Sequence, residues 1–215
     1  MATLRRDGYT LLPPCLPPAL LAELRAAAPA NAPVLANPHR TTTALARALT
    51  HDGLHTHIRA VLGSRVFIEN SFVIVKHPGT DMTVPAHQDG TNERLQLDPA
   101  RALTVWIALS EATTDAGCVH VIAGSHRRGY APTRRADTAG RPLTLAAPAT
   151  GPWTAAPVPA GGVLLMDVRT IHYSPPNHTP TPRVGVNVRL VAPGGCLMRD
   201  GTAPTHLVPL SAADR

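Results

Sequence analysis

The apolar positions change their spacing once along the chain, near residue 65. Before that point they recur at helical intervals: Leu20, Leu21 and Leu24 share a face, Glu23 and Arg25 lie elsewhere, and Pro17 and Pro18 stand at the start. This predicts a helix over residues 17–28, because proline is tolerated in a first helical turn whose N–H groups have no partner anyway. Shorter helical turns are predicted over residues 43–49 and 54–62, the last stopping at Gly63. From residue 65 a β-branched and aromatic run extends to Lys76 and ends at His77-Pro78-Gly79, which reads as a strand and its turn. Further strands are predicted over residues 102–109, 118–123, 163–168 and 184–191, separated by turn text such as Asp115-Ala116-Gly117 and Gly161-Gly162. Helices first, then short strands with no helical pattern between them, predict an α+β, mainly β domain built as an antiparallel sandwich or barrel. We divide the single expected domain of residues 1–215 into a helical support region (1–64), a β core (65–192) and an irregular tail (193–215). Residues 129–159 are rich in Pro, Thr and Ala and read as a long loop, the kind that serves as a lid or stays mobile.

Composition narrows the function classes. Aromatics make up 3% and there are 23 prolines, so the core is expected to use small side chains joined by many loops. A net charge of +6 raises nucleic acid as a partner. The arginines, however, are scattered, with only the short pairs Arg5-Arg6, Arg127-Arg128 and Arg134-Arg135, and no aromatic residues are interleaved for base stacking. Attraction of a small anionic molecule suits the charge better. Cys15, Cys118 and Cys196 are odd in number and widely spaced, which argues against a disulfide framework or a zinc knuckle and for reduced thiols in a cytoplasm. No apolar run approaches the roughly 18 residues of a membrane span.

Candidate chemistry centres on Val84-Pro85-Ala86-His87-Gln88-Asp89-Gly90. In an extended segment residues two apart project the same way, so His87 and Asp89 can grip one ion. His172, in Ile171-His172-Tyr173-Ser174, is the candidate third ligand. Two histidines and a carboxylate on one face, with the other coordination positions open, are the ligand set of mononuclear non-haem Fe(II) oxygenases. With 11 histidines in the chain, a surface His and Asp remain the alternative reading of so short a motif. His178 competes with His172 but lacks a preceding apolar strand to present it rigidly. His77 reads as a turn residue, His120 as a core or pocket residue between valines, and His126 as structural.

Order and spacing together carry a family resemblance. The blocks are Pro85 to Gly90, the segment from Leu103 through Trp106 to Gly124-Ser125-His126, and the segment from Gly161 through His172 and Ser174 to Arg183. Over about residues 65–192 they resemble the phytanoyl-CoA dioxygenase family, which comprises Fe(II)- and 2-oxoglutarate-dependent oxygenases on a double-stranded β-helix. The resemblance implies iron on His87, Asp89 and His172, with 2-oxoglutarate as co-substrate and O₂ as oxidant. It further implies that Arg183 pairs with the distal carboxylate of the co-substrate, that Ser174 assists, and that Trp106 lies beside it. The co-substrate would be decarboxylated to succinate and hydrogen removed from a substrate C–H bond, leading to hydroxylation, desaturation, epimerisation or ring formation. Because Asp89 is retained, halogenation is disfavoured. Tyr173 stands where the family often has a small residue, and the short chain implies reduced loops over the substrate.

Strand alternation extends the prediction. If Arg183 points inward, so do Gly185, Asn187 and Arg189, while Val184, Val186, Val188 and Leu190 face a surrounding core. A charge facing a barrel interior needs a partner. We therefore expect Asn187 and Arg189 to bind substrate, Arg189 answering an anionic group, with Gln88 and Lys76 as further substrate contacts. On the first strand Asn70, Phe72, Ile74 and Lys76 share the pocket face, and Asn70 is expected to touch the co-substrate or the substrate. Tailoring of a bacterial secondary metabolite suits the composition. Two other classes fit the same residues: a cupin-like metalloprotein such as a zinc isomerase or hydrolase, and a non-catalytic binding protein with the barrel retained.

Overall fold

A computed structural model describes residues 1–138 and 141–211. Its helices are Ala2–Asp7 (α1), Pro18–Ala26 (α2), Ala44–Leu49 (α3) and Asp52–Leu62 (α4). The strands of the first half are Tyr9–Leu12 (β1), Val34–Ala36 (β2), Phe67–Lys76 (β3), Val84–His87 (β4), Leu95–Leu97 (β5), Ala102–Ala108 (β6) and Val119–Val121 (β7). Those of the second half are Thr133–Thr138 (β8), Arg141–Leu145 (β9), Thr154–Ala156 (β10), Val163–Met166 (β11), His172–Ser174 (β12), Arg183–Val191 (β13), Cys196–Met198 (β14) and Val208–Pro209 (β15).

The larger sheet runs β1-β11-β6-β13-β3-β15, with β2 also on β3, and the smaller runs β10-β7-β12-β4. Every pairing is antiparallel. Trp106, Ala108, Leu164 and Met166 from the larger sheet pack with Val119, Val121 and Ala156 from the smaller, closing the two into a double-stranded β-helix. The helices cover the outside of the larger sheet. Leu54, Ile58 and Leu62 recur at helical spacing on α4 and are buried, and Gly63, at φ 81°, ends the helix in a conformation open to glycine. They join Val184, Val186, Val188 and Leu190 of β13 in one core. The alternate residues of β13 are thereby turned between the sheets, because successive strand side chains must take opposite faces.

Short edge strands are where the structure departs from the expected layout. The region 1–64 is not purely helical, since β1 pairs with β11 and β2 with β3. The tail after residue 192 is not simply irregular: β14 pairs with β5 and β15 with β3. The stretch 129–159 holds the hairpin β8–β9 and strand β10, and Thr144 of the hairpin donates to the Ala86 carbonyl beside the metal motif. Segments of two to six residues are too short to show a period, so tertiary pairing decides them.

Strand β3 carries an irregularity. It is bulged against β13, where Arg189 pairs with Asn70 and the next residue, Leu190, pairs with Ile68. Glu69 is therefore the extra residue. A bulge breaks the alternation and re-aims a side chain, and here Glu69 and its neighbour Asn70 both line the same cavity.

Candidate active site

His87 closes β4, Asp89 follows it in the turn, and His172 opens β12, where it pairs directly with His87. The pairing brings together residues far apart in sequence, and the ring centroids stand 4.1 Å from each other. His87 Nε2 lies 3.5 Å from one Asp89 oxygen and His172 Nε2 lies 3.7 Å from the other. All three are buried, and among the described residues theirs is the group of potential ligand atoms that converges, all within 4.8 Å of one another. His77, His120, His126 and His178 take no part in it.

The donor set suits a metal ion atom by atom. His87 Nδ1 donates to the Pro85 carbonyl at 2.8 Å and His172 Nδ1 to the Thr170 carbonyl at 2.9 Å. A carbonyl only accepts, so each neutral ring carries its proton on Nδ1 and offers the Nε2 lone pair. The Asp89 carboxylate receives Thr104 Oγ1 at 3.0 Å and Asn187 Nδ2 at 3.2 Å, and its own carbonyl accepts Arg189 Nη1 at 2.8 Å. Burial alone would raise this carboxyl, but the adjacent His172 and His87 when protonated, with Arg189 behind them, hold it well below the ordinary range. An ionised carboxylate ligand is thus available at neutral pH.

On one side of the ligands lies a narrow cavity lined by Trp106, Ser174, Arg183 and Asn187 together with both histidines. Arg183 is 1% exposed. Its Nη2 donates to the Gly117 carbonyl at 2.7 Å and reaches Ser174 Oγ at 3.4 Å, and its guanidinium stands 5.5 Å from the Trp106 ring centroid. Burial pushes it down to about 10, so it remains charged at neutral pH. No carboxylate pairs with it among the described residues, and its buried Nε has no acceptor there. An enclosed guanidinium without a counter-ion is destabilising by several kcal/mol. A ligand carboxylate, bound through the planar fork of donors, relieves that penalty. Trp106 can lie beside it because the facing position is Gly185, where an added Cβ would come within 2.3 Å of the indole.

On the other side of His87 and Asp89 opens a cavity of about 620 Å³ whose walls include Glu69, Asn70, Phe72, Ile74 and Arg189. That volume is typical of small-molecule sites. Asn70, expected beside the co-substrate or the substrate, stands here and not with Arg183. The remaining expected substrate contacts are otherwise engaged. Lys76 lines neither cavity; its ammonium donates to the carbonyls of Met82, Ser174 and Pro175. Gln88 does line the larger cavity, with its amide bonded to the carbonyls of Gly129 and Arg169 and to the Ala131 N–H. Asn187 faces the narrow cavity and braces Asp89. Arg189 reaches the large cavity, but Glu69 lies 3.1 Å from its Nε and supplies the counter-charge. One of the two reasons for expecting an anionic substrate, a lone interior cation, is thereby removed. Sequence reasoning missed Glu69 and also His206, whose Nε2 sits 3.3 Å from Glu69 and whose carbonyl accepts Arg40 Nη2. A bulge and a tail contact leave no periodic mark.

The sequence profile of the phytanoyl-CoA dioxygenase (PhyH) family matches residues 30–185. The chain belongs to that family. The match begins well before the β core, so it takes in α3 and α4 behind the larger sheet as well. Among relatives, the mouse phytanoyl-CoA dioxygenase domain-containing protein 1 is 30% identical over 76% of this chain and 59% of its own length. The rice phytanoyl-CoA dioxygenase 1 is 29% identical over 61% of this chain and 47% of its own. The chain thus spans about half the length of these relatives. Solved structures share the fold across nearly the whole chain. The epimerase SnoN, in complex with Fe3+, alpha ketoglutarate and nogalamycin RO, is 22% identical with a TM-score of 0.75, covering 99% of this chain and 94% of that one. EvdO2 from Micromonospora carbonacea var. aurantiaca, complexed with 2-oxoglutarate, is 24% identical with a TM-score of 0.71, covering 94% and 93%.

Proposed function

We propose that this member of the phytanoyl-CoA dioxygenase family is an Fe(II)- and 2-oxoglutarate-dependent oxygenase acting on a C–H bond of a small molecule held in the larger cavity. The observation that carries the reading is the meeting of His87, Asp89 and His172 beside Arg183, a buried cation with no carboxylate of its own among the described residues. His87, Asp89 and His172 would hold the iron. When bound, iron with 2-oxoglutarate and O₂ supplies the oxidant, with succinate and CO₂ as co-products. The protein does the rest. Arg183 receives the distal carboxylate, with Ser174 beside it and Trp106 as a wall. Thr104 and Asn187 hold the Asp89 carboxylate in place from behind. Phe72 and Ile74 line the substrate chamber with apolar surface and so keep water from the reacting carbon.

Retention of Asp89 as a ligand favours hydroxylation or a related oxidation over halogenation. Tailoring of a bacterial secondary metabolite is supported by fold neighbours such as SnoN and the carbocyclase SnoK from nogalamycin biosynthesis, the latter 20% identical with a TM-score of 0.74. The three cysteines, all without a disulfide, fit the cytoplasm. No helix among the described residues is long and apolar enough to cross a membrane.

Succinate release on adding Fe(II), ascorbate and 2-oxoglutarate tests the reading, since uncoupled turnover needs no substrate. The wild-type chain should release succinate, and His172→Ala should bind less than stoichiometric iron and release at least about 10³-fold less. A wild-type chain that holds metal but leaves 2-oxoglutarate unconsumed would favour the cupin-like alternative.

A further inference from the structure

The bulge at Glu69 builds a charge-balanced corner in the larger cavity, outside any regular strand pattern. Glu69 and Arg189 stand side by side there as a buried ion pair, so neither sign of charge is in excess. Next to them, the side-chain amide of Asn70 has no hydrogen-bond partner among the described residues, and its oxygen is buried. An unmet buried amide is rare and destabilising by about 1–3 kcal/mol, so its persistence beside a cavity points to a ligand group that meets it.

From this corner we infer that Asn70 reads a neutral hydroxyl group on the substrate. This rests on the proposed function, since it treats the larger cavity as the substrate chamber. A hydroxyl both donates and accepts, so it satisfies an amide whichever way the amide is turned. A carboxylate or phosphate only accepts and would be set against Glu69. An ammonium only donates and would be set against Arg189. Phe72, Ile74, Val84 and Leu95 give the cavity an apolar face, while Arg40, Asp81, Glu93 and Arg94 bring charges of both signs to the rest of its wall. The substrate is therefore a mid-sized molecule with an apolar face that presents an uncharged hydroxyl to this corner.

Rigid probes of one shape test this directly: 1-adamantanol, 1-methoxyadamantane, adamantane-1-carboxylate and 1-aminoadamantane, titrated by ligand-observed NMR. The full chain is loaded with Fe(II) and 2-oxoglutarate under argon. The alcohol should bind about tenfold more tightly than the other three, about 1.4 kcal/mol. Asn70→Leu should bring the alcohol to within about twofold of the ether while the ether keeps its affinity, which shows that the pocket is intact. Glu69→Gln should strengthen carboxylate binding about tenfold by unmasking Arg189. Carboxylate or amine binding that matches the alcohol on the wild-type chain, an alcohol lead that survives Asn70→Leu, or no binding by any of the four would overturn the hydroxyl subsite. An alcohol preference that stands in a chain releasing no succinate would instead retire the oxygenase reading and leave the subsite in place.

Discussion

Two arginines on strand β13 face the interior six residues apart, and their surroundings are opposite. Arg183 is enclosed with a carbonyl, a hydroxyl and an indole but no anion among the described residues. Arg189 has Glu69 beside it at 3.1 Å, and beyond Glu69 the imidazole of His206. The same strand alternation turns both inward, and alternation says nothing about which is already neutralised. The difference separates a cation held ready for a ligand from a cation that is part of the scaffold. One end of the strand carries a cation with no carboxylate beside it among the described residues, the other a cation already paired.

Replacing each arginine by methionine should give opposite results. Arg189→Met leaves the Glu69 carboxylate buried without its partner and should lower unfolding free energy by about 3–5 kcal/mol in denaturant titrations. Its affinity for 2-oxoglutarate should change little. A variant as stable as wild type, with a raised KM for substrate alone, would restore Arg189 as a substrate ligand. Arg183→Met should weaken 2-oxoglutarate binding by about 100-fold, yet melt no lower than wild type without co-substrate, because it removes an uncompensated charge. If it melts much lower, the guanidinium is structural and the contrast disappears.

Smaller effects probe the neighbours of each arginine and of the ligands. Adding Glu69→Gln to Arg189→Met should recover about 2 kcal/mol of the lost stability, a coupling readable from a double-mutant cycle. Thr104→Val removes the hydroxyl bonded to Asp89 and should weaken Fe(II) binding about tenfold, measured by competition with a chelator. Ser174→Ala breaks only a 3.4 Å contact with Arg183, and should raise the KM for 2-oxoglutarate about threefold.

The two ends of β13 also differ in how far the sequence discloses them. Regular alternation suffices to turn Arg183, Gly185 and Asn187 between the sheets, and motif spacing singles out His87, Asp89 and His172 in advance of any coordinates. The larger cavity is less legible. Glu69 reaches it through a one-residue bulge, and His206 through a tail segment held by Arg40 and by Arg199 on the loop at Thr91 and Asn92. Neither device repeats with a period, and both depend on contacts between parts of the chain remote in sequence. The hydrogen bonding of Gln88 and Lys76 is hidden for the same reason: their partners are backbone groups, carbonyls and one N–H, that residue identity does not mark.

Lys76 is the chain's sole lysine, and in the folded protein its amine is wholly enclosed. Amine-directed reagents should therefore modify the native protein at its amino terminus alone, and coupling to a sensor surface through lysine should fail. Acylation at Lys76 becomes a count of molecules that have opened.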